Sequence, residues 1–318
     1  MSATRRILLT GVSSFVGCHL AHDLAQAGHT VLAVTGKDPA SYDGIRARRL
    51  GHARSGGALL QRCDLVQAAD FATVVAEFHP EICIHHAGWA ERYGAMDYDL
   101  NAGHRVNLRP LDHIVRNLAE AGAKALVLTG SSAEYGPSVA LSREEEACLP
   151  DTPYGLSKLS ATLRARQLAA ETGLPVRVAR VFIPFGALDA PGKVLMVSCA
   201  ALKEGKEIDL SPCDQARDFL HVSDLVAGYT ALMEEAMSVQ GFEIVNLSSG
   251  EGVAVRDLLV AMAEALGRDP SLLRFGRIAM RMGEAPFSAG SNAKALARLD
   301  WRPRRALDAI TAFVREQA

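Results

Sequence analysis

Apolar residues along the chain fall into short, strand-length runs separated by stretches of helical spacing. Ile7-Leu8-Leu9 is followed by Thr30–Val34, Ala58–Cys63, Ile82–His85, Ala125–Thr129 and Pro175–Arg180, and these six runs predict six strands. Between them, apolar positions recur at helical intervals, for example over Phe15–Ala27, Phe71–Phe78 and Val106–Ala121. Alternation of this kind builds an α/β fold with a parallel sheet covered on both faces. Ligands of such sheets sit beyond the carboxyl ends of the strands, so the loops after each strand carry the information. From about the sixth strand onward the pattern predicts a smaller α/β lobe. Residues 1–175 then form the first lobe and 176–318 the second, with segments near 217–247 returning to the first sheet.

Composition narrows the function classes. The chain has 318 residues, 49% of them hydrophobic, enough for a large core, and a formal net charge of −2. No basic stripe is present, which argues against nucleic acid as a partner. No apolar run approaches membrane-spanning length, and the N-terminus lacks the apolar core of a signal peptide. Cys18, Cys63, Cys83, Cys148, Cys199 and Cys213 are scattered without a Cys-x-x-Cys pair. Reduced thiols and a cytoplasmic location are therefore expected. His85 and His86 are adjacent on a strand and point to opposite sides, so no metal site is expected.

The chemistry begins after the first strand, in Thr10-Gly11-Val12-Ser13-Ser14-Phe15-Val16-Gly17. Two glycines bracket a tight turn that leads into a helix, whose free N–H groups and dipole face the turn. A dinucleotide pyrophosphate suits that place; the alternative is an ordinary strand-to-helix turn. Ser14 stands where a glycine is usual, and its hydroxyl is able to donate to a phosphate. The second strand runs into Thr35-Gly36-Lys37 rather than into an acid. A hydroxyl and a cation suit the 2′-phosphate of NADP better than the diol of NAD, which stays possible; Lys37 otherwise is a solvated loop lysine. Asp64, before Leu65, is placed to accept from an adenine amino group. Ala87 and Gly88 permit close backbone approach to a cofactor.

The fifth strand ends in Thr129-Gly130-Ser131-Ser132, which sets hydroxyls at a strand's carboxyl end. Further on, Asp151-Thr152-Pro153-Tyr154 opens a helix, with Asp151 or Thr152 as cap and Pro153 in the first turn. Tyr154 and Lys158 are four apart and share a face. An ammonium beside a phenol favours phenolate, and so lets tyrosine act as an acid or base near neutrality.

Taken together, these stretches resemble the extended short-chain dehydrogenase/reductase family, in its nucleotide-sugar epimerase, dehydratase and reductase branch, nearly end to end. Thr10-Gly11…Gly17 looks like its glycine motif. Asp64-Leu65 and Asn107 fall where the family places its adenine-binding Asp and active-site asparagine. Ser131, Tyr154 and Lys158 match its catalytic triad, and Arg217-Asp218-Phe219-Leu220-His221-Val222-Ser223-Asp224 matches a stretch whose arginine grips the substrate diphosphate in relatives. Asn246–Gly252 and Leu299-Asp300-Trp301-Arg302-Pro303 echo two further signatures, and Arg281-Met282-Gly283-Glu284 resembles Arg-Pro-Gly-Glu. Two positions depart from the pattern: Ile183 replaces an asparagine that bonds the substrate, and Ala133 stands where 4,6-dehydratases carry a glutamate.

The resemblance implies a Rossmann-type doubly wound parallel sheet with a smaller C-terminal substrate lobe. It implies an enzyme passing hydride between NADP or NAD and a nucleoside diphosphate sugar, with Tyr154 exchanging the proton, Lys158 tuning it and Ser131 bonding the same oxygen. Ser132, Arg217 and Arg281 are the candidate substrate contacts; for Arg281 the alternative is a salt bridge to Glu284. The expected reaction is reduction of a 4-keto-6-deoxy sugar nucleotide by NADPH, with a 4-epimerase as the alternative and a non-catalytic cofactor sensor further behind. Helices near Asn107–Leu118 and Tyr154–Ala169 resemble those that pair in family dimers, so a homodimer is expected.

Overall fold

The computed structural model describes residues 4–280 and 283–317. Its large sheet contains seven strands, all parallel: β1 (Arg6–Thr10), β2 (Thr30–Thr35), β3 (Leu59–Arg62), β4 (Ile82–His85), β5 (Ala125–Ser131), β6 (Val176–Val181) and the strand Phe242–Leu247. Their spatial order is β3-β2-β1-β4-β5-β6, closed by Phe242–Leu247. The order reverses between β1 and β4, the place beyond whose strand ends ligands of such sheets bind. The sheet draws on chain past residue 175: β6 pairs with β5 on one side and with Phe242–Leu247 on the other, although the sequence reading begins the second lobe there.

The side-chain period of two explains the layering. Ile7, Leu9, Ile82, Ile84, Val127, Ala179 and Val181 pack on one face, against α1 (Phe15–Gln26) and the helix Val222–Ser238. Leu8, Cys83, Leu126, Leu128, Val176 and Val178 pack on the other, against α3 (Ala68–Phe78) and the helices Leu111–Glu120 and Pro153–Thr172. Between β2 and β3 lies α2 (Gly44–Ser55), which packs on α1.

A third core, with Phe185, Leu195, Leu202, Phe219, Leu258, Met262, Ile310 and Phe313, holds the smaller lobe. Its strands are two or three residues long, such as Ile183–Phe185 beside Phe219–His221 and Ala216–Arg217 between Val253–Ala254 and Phe287–Ser288. All six cysteines are free thiols, five of them buried. No described helix is long and apolar enough to cross a membrane.

Candidate functional site

The turn after β1 is closed by contacts that leave no room for larger side chains. Gly11 has φ +83°, a conformation that L side chains rarely adopt, and a Cβ there would lie 2.7 Å from the Ala87 nitrogen. A Cβ on Gly17 would lie 2.2 Å from the Gly11 carbonyl oxygen. Ser14 caps α1, its Oγ accepting from the Gly17 N–H at 2.9 Å, which leaves the hydroxyl proton free. Among the described residues, the Phe15 and Val16 N–H groups at the start of this 12-residue helix have no backbone partner. They and the helix dipole make a cradle for an anion. Ser13 lies in the same turn, its carbonyl accepting from Arg49 Nη1 at 3.4 Å.

Ala87 and Gly88 stand opposite this turn, fixed from two sides. Thr10 Oγ1 accepts from the Ala87 N–H at 3.0 Å and pairs with His85 Nδ1 at 2.9 Å. Asn107 Oδ1 accepts from the Trp89 N–H at 2.6 Å, while its Nδ2 donates to Ser157 Oγ at 2.8 Å. Asn107 thus ties the loop after β4 to the residue preceding Lys158. His86 turns the other way, to Thr129 Oγ1 at 2.9 Å, and Thr129 Oγ1 also meets the Tyr229 hydroxyl at 2.7 Å. Burial keeps both histidines neutral, with pKa values pushed down to about 3 for His85 and about 4 for His86.

Helix Pro153–Thr172 carries Tyr154 and Lys158, and its first turn is set by Thr152, whose Oγ1 accepts from the Gly155 N–H at 3.1 Å. Of the two expected caps, Thr152 is the one used. Tyr154 is ringed by aromatic edges: Tyr93 at 5.8 Å and Tyr98 at 5.6 Å between centroids. Burial raises its phenol above the usual tyrosine value, and the Ser131 side chain opposes that rise. Lys158 is buried and donates to the Thr129 carbonyl at 2.5 Å. Burial lowers its ammonium, against the pull of Glu134. The expectation that Lys158 brings Tyr154 down is not met in this state. The ammonium is engaged by a carbonyl, and desolvation dominates the phenol.

Ser131 ends β5 and opens a short 3₁₀ turn, Ser132–Glu134. Its Oγ accepts from the Ala133 N–H at 3.2 Å, and its own N–H donates to Glu134 Oε1 at 2.9 Å. Glu134 is not among the candidates read from the sequence, yet a Ser-x-x-Glu capping pattern announces this pairing there. The carboxylate is fully buried and held on both sides: Oε2 accepts from Thr162 Oγ1 at 2.9 Å and from Arg180 Nε at 3.0 Å. The Ser132 carbonyl accepts from the Tyr135 N–H at 3.1 Å, inside the same turn.

The remaining candidates are more scattered. Lys37 is exposed, and Thr35 Oγ1 donates to the Lys37 carbonyl at 2.7 Å, so that hydroxyl proton is not offered to a phosphate. Asp64 Oδ1 accepts from the Val66 N–H at 3.0 Å and the Leu65 carbonyl meets His113 Nε2 at 3.0 Å, both just past β3. Arg217 is largely buried, its Nη2 on Glu284 Oε1 at 3.1 Å, which Gln215 Nε2 also reaches at 3.1 Å. Arg281 lies outside the described residues. A groove of about 690 Å³, lined by Asp23, Ala227, Ala231, Glu234 and Asp300 among others, contains none of these candidates.

Known proteins of this kind share the architecture. UDP-glucose 4-epimerase of Bacillus subtilis is 25% identical over 327 residues, covering 96% of this chain and 94% of its own. The crystal structure of Thermotoga maritima UDP-glucose 4-epimerase with UDP-glucose superposes with a TM-score of 0.83 at 21% identity, covering 98% of each chain. That of Bacillus anthracis dTDP-glucose 4,6-dehydratase with NAD gives 0.82 at 18%, covering 98% of this chain and 96% of that one. At these identities the two structures speak for the fold. The NAD dependent epimerase/dehydratase family matches residues 7–248, three quarters of the sequence, and the chain belongs to that family.

Proposed function

We propose that the chain is an NAD-dependent 4-epimerase acting on a UDP-activated sugar. The observation that carries this reading is the Ser131 side chain on the Tyr154 phenol, one helical turn from Lys158, while Glu134 is paired with Arg180. A 4,6-dehydration needs a further acid–base pair to expel water. Ala133 offers none, and its neighbour Glu134 is committed elsewhere. Between reduction and epimerisation, the sequence alone puts reduction with NADPH first. Two findings favour the epimerase instead: the relative from Bacillus subtilis is a UDP-glucose 4-epimerase, and Thr35 turns its hydroxyl away from the role a 2′-phosphate would need.

The turn after β1 fits the pyrophosphate of a dinucleotide, with Gly11, Gly17 and the Phe15 and Val16 N–H groups as the cradle and Ser13 and Ser14 beside it. Asp64 and Leu65 lie toward the adenine, and Lys37 toward its ribose. Ala87, Gly88, Asn107 and Thr129 line the nicotinamide end. Bound there, NAD supplies the hydride acceptor for the sugar C4. Tyr154 Oη takes the proton leaving the 4-hydroxyl and returns it once the keto sugar has presented its other face. Ser131 bonds the same oxygen, and Lys158 holds the nicotinamide ribose. Arg217, with a guanidinium fork that matches phosphate oxygens, faces the diphosphate, and Ser132 the sugar.

The chain is further proposed to dimerise through helix Pro153–Thr172, where Leu156 and Leu163 are 43% and 52% exposed. A Leu156→Glu/Leu163→Glu variant is expected to run at monomer mass, with the native protein at twice that; a native monomer rejects the dimer. The functional reading is tested by denaturing the purified protein and assaying released nucleotide. Retained NAD, with interconversion of UDP-glucose and UDP-galactose, supports the epimerase. A nucleotide-free protein that consumes NADPH with a 4-keto-6-deoxy sugar nucleotide restores the reductase.

A further inference from the structure

We propose that Glu134, held by Arg180, is a positioning residue that joins the three elements of the active centre and sets the charge environment of Tyr154. The inference rests on the catalytic reading of Tyr154 but goes beyond it, because Glu134 is fully buried. One carboxylate gathers groups from three elements. Oε1 accepts from the Ser131 N–H at the end of β5, and Oε2 accepts from Thr162 on the helix that carries Tyr154 and Lys158. Oε2 also accepts from Arg180 Nε on β6, at 3.0 Å. Thr162 lies four and eight residues beyond Lys158 and Tyr154, on their face of the helix. Gly130 is shaped to this carboxylate: a Cβ there would lie 2.8 Å from Glu134 Oε1.

Such a buried ion pair is a poor source of stability, since desolvation offsets the attraction, so its presence here asks for another role. The geometry supplies one. By holding the Ser131 N–H while Ser131 Oγ accepts from Ala133, Glu134 fixes the direction in which the serine hydroxyl proton can be given. It also places one negative charge behind the phenol and the ammonium. That charge adds to the rise that burial imposes on Tyr154 and opposes the larger fall that burial imposes on Lys158. The other groups around the carboxylate and the phenol are Arg180 from β6, Tyr135 stacked under its guanidinium at 4.5 Å, and Cys148, whose Sγ lies 3.1 Å from Arg180 Nη2. Tyr93 and Tyr98 pack edge-on against the Tyr154 ring, Tyr229 is near enough to feel its charge, and Lys158 feels the carboxylate. Of these, Arg180 alone pairs its fixed opposite charge directly with the carboxylate.

The test compares wild type with Glu134→Gln, a change of nearly equal size that removes the charge and one acceptor. Difluorotyrosine, a phenol acidic enough to titrate in an accessible range, replaces Tyr154 in both, and fluorine NMR of the NAD-bound protein follows it. In Glu134→Gln the midpoint moves to lower pH; turnover of UDP-galactose nevertheless loses about ten- to a hundredfold in kcat with KM nearly unchanged, because the displaced Ser131 outweighs the more acidic phenol. A folded variant whose midpoint stays with wild type overturns the inference. So does a loss confined to KM. If Glu134→Gln unfolds, the charge-neutral pair Glu134→Leu/Arg180→Met takes its place: recovery of both wild-type midpoint and kcat reduces the ion pair to scaffolding and overturns the proposal. Wild type that turns over no UDP-sugar rejects the epimerase reading, while the fluorine midpoint still judges Glu134.

Discussion

Replacing Gly17 by alanine tests the phosphate cradle where the structure leaves least tolerance. The added methyl would lie 2.2 Å from the Gly11 carbonyl oxygen and 2.7 Å from Ser14 Oγ. Neither neighbour is free to give. The Gly11 carbonyl accepts from the Ser14 N–H at 3.0 Å, and the Gly11 N–H donates to Val34 at 3.3 Å, which anchors the turn to β2. Relief therefore costs the Ser14 cap, worth about 1 kcal/mol, and overpacking of about 1–3 kcal/mol. Together these amount to roughly 2–4 kcal/mol of stability. NAD affinity falls as well, because the Phe15 and Val16 N–H groups move with the turn. Gly51 is the control. It is exposed in the middle of α2, and a Cβ there would meet nothing within 4 Å, so Gly51→Ala raises stability by about 0.5–1 kcal/mol through helix propensity alone. Urea melts and NAD titration by calorimetry measure both variants. A Gly17→Ala protein with native stability and native NAD affinity refutes the cradle as described.

Other substitutions examine separate parts of the account. Tyr154→Phe abolishes turnover yet keeps NAD affinity within severalfold, measured by calorimetry; lost binding makes the ring structural. Because burial holds the Tyr154 phenol above its usual value, proton removal grows faster as pH rises through neutrality, and a rate already level below neutrality contradicts that cause. Wild type binds NAD more tightly than NADP, and Lys37→Ala weakens NADP alone; equal losses for both return Lys37 to a solvated loop. Asp218 is fully buried and accepts from the Ser249 N–H and Oγ and from the N–H groups of Gly250 and Gly290. Asp218→Asn turns an amide against two of those donors and lowers stability by about 2–4 kcal/mol in urea melts, whereas an unchanged midpoint removes Asp218 from the lobe's framework.

Much of the large sheet was legible because its strands are buried on both faces and so read as continuous apolar runs, as in Ile7-Leu8-Leu9. Tyr154 and Lys158 were legible through local spacing on one helix. The two- and three-residue strands of the smaller lobe carry no period, and they take their form from packing against the third core. Contacts across long separations were equally silent: Thr129 meets His86 and Tyr229 across 43 and 100 positions, and Lys158 reaches the Thr129 carbonyl. The Thr35 hydroxyl shows the same limit at short range. Its residue type suits a phosphate, but the turn of the chain gives its proton to the Lys37 carbonyl. Glu134 sits within the Ser-x-x-Glu pattern, and only the burial of Arg180 opposite shows what the carboxylate holds.

The central claim is that hydride leaves and re-enters the sugar C4 within one active site, with Tyr154 carrying the proton. UDP-galactose bearing deuterium at C4, incubated with the protein and unlabelled NAD, tests it most directly. The account predicts UDP-glucose that keeps its deuterium at C4, no net reduced cofactor, and no conversion by Tyr154→Phe. Deuterium lost to solvent, stoichiometric accumulation of reduced cofactor, or full conversion by Tyr154→Phe contradicts it.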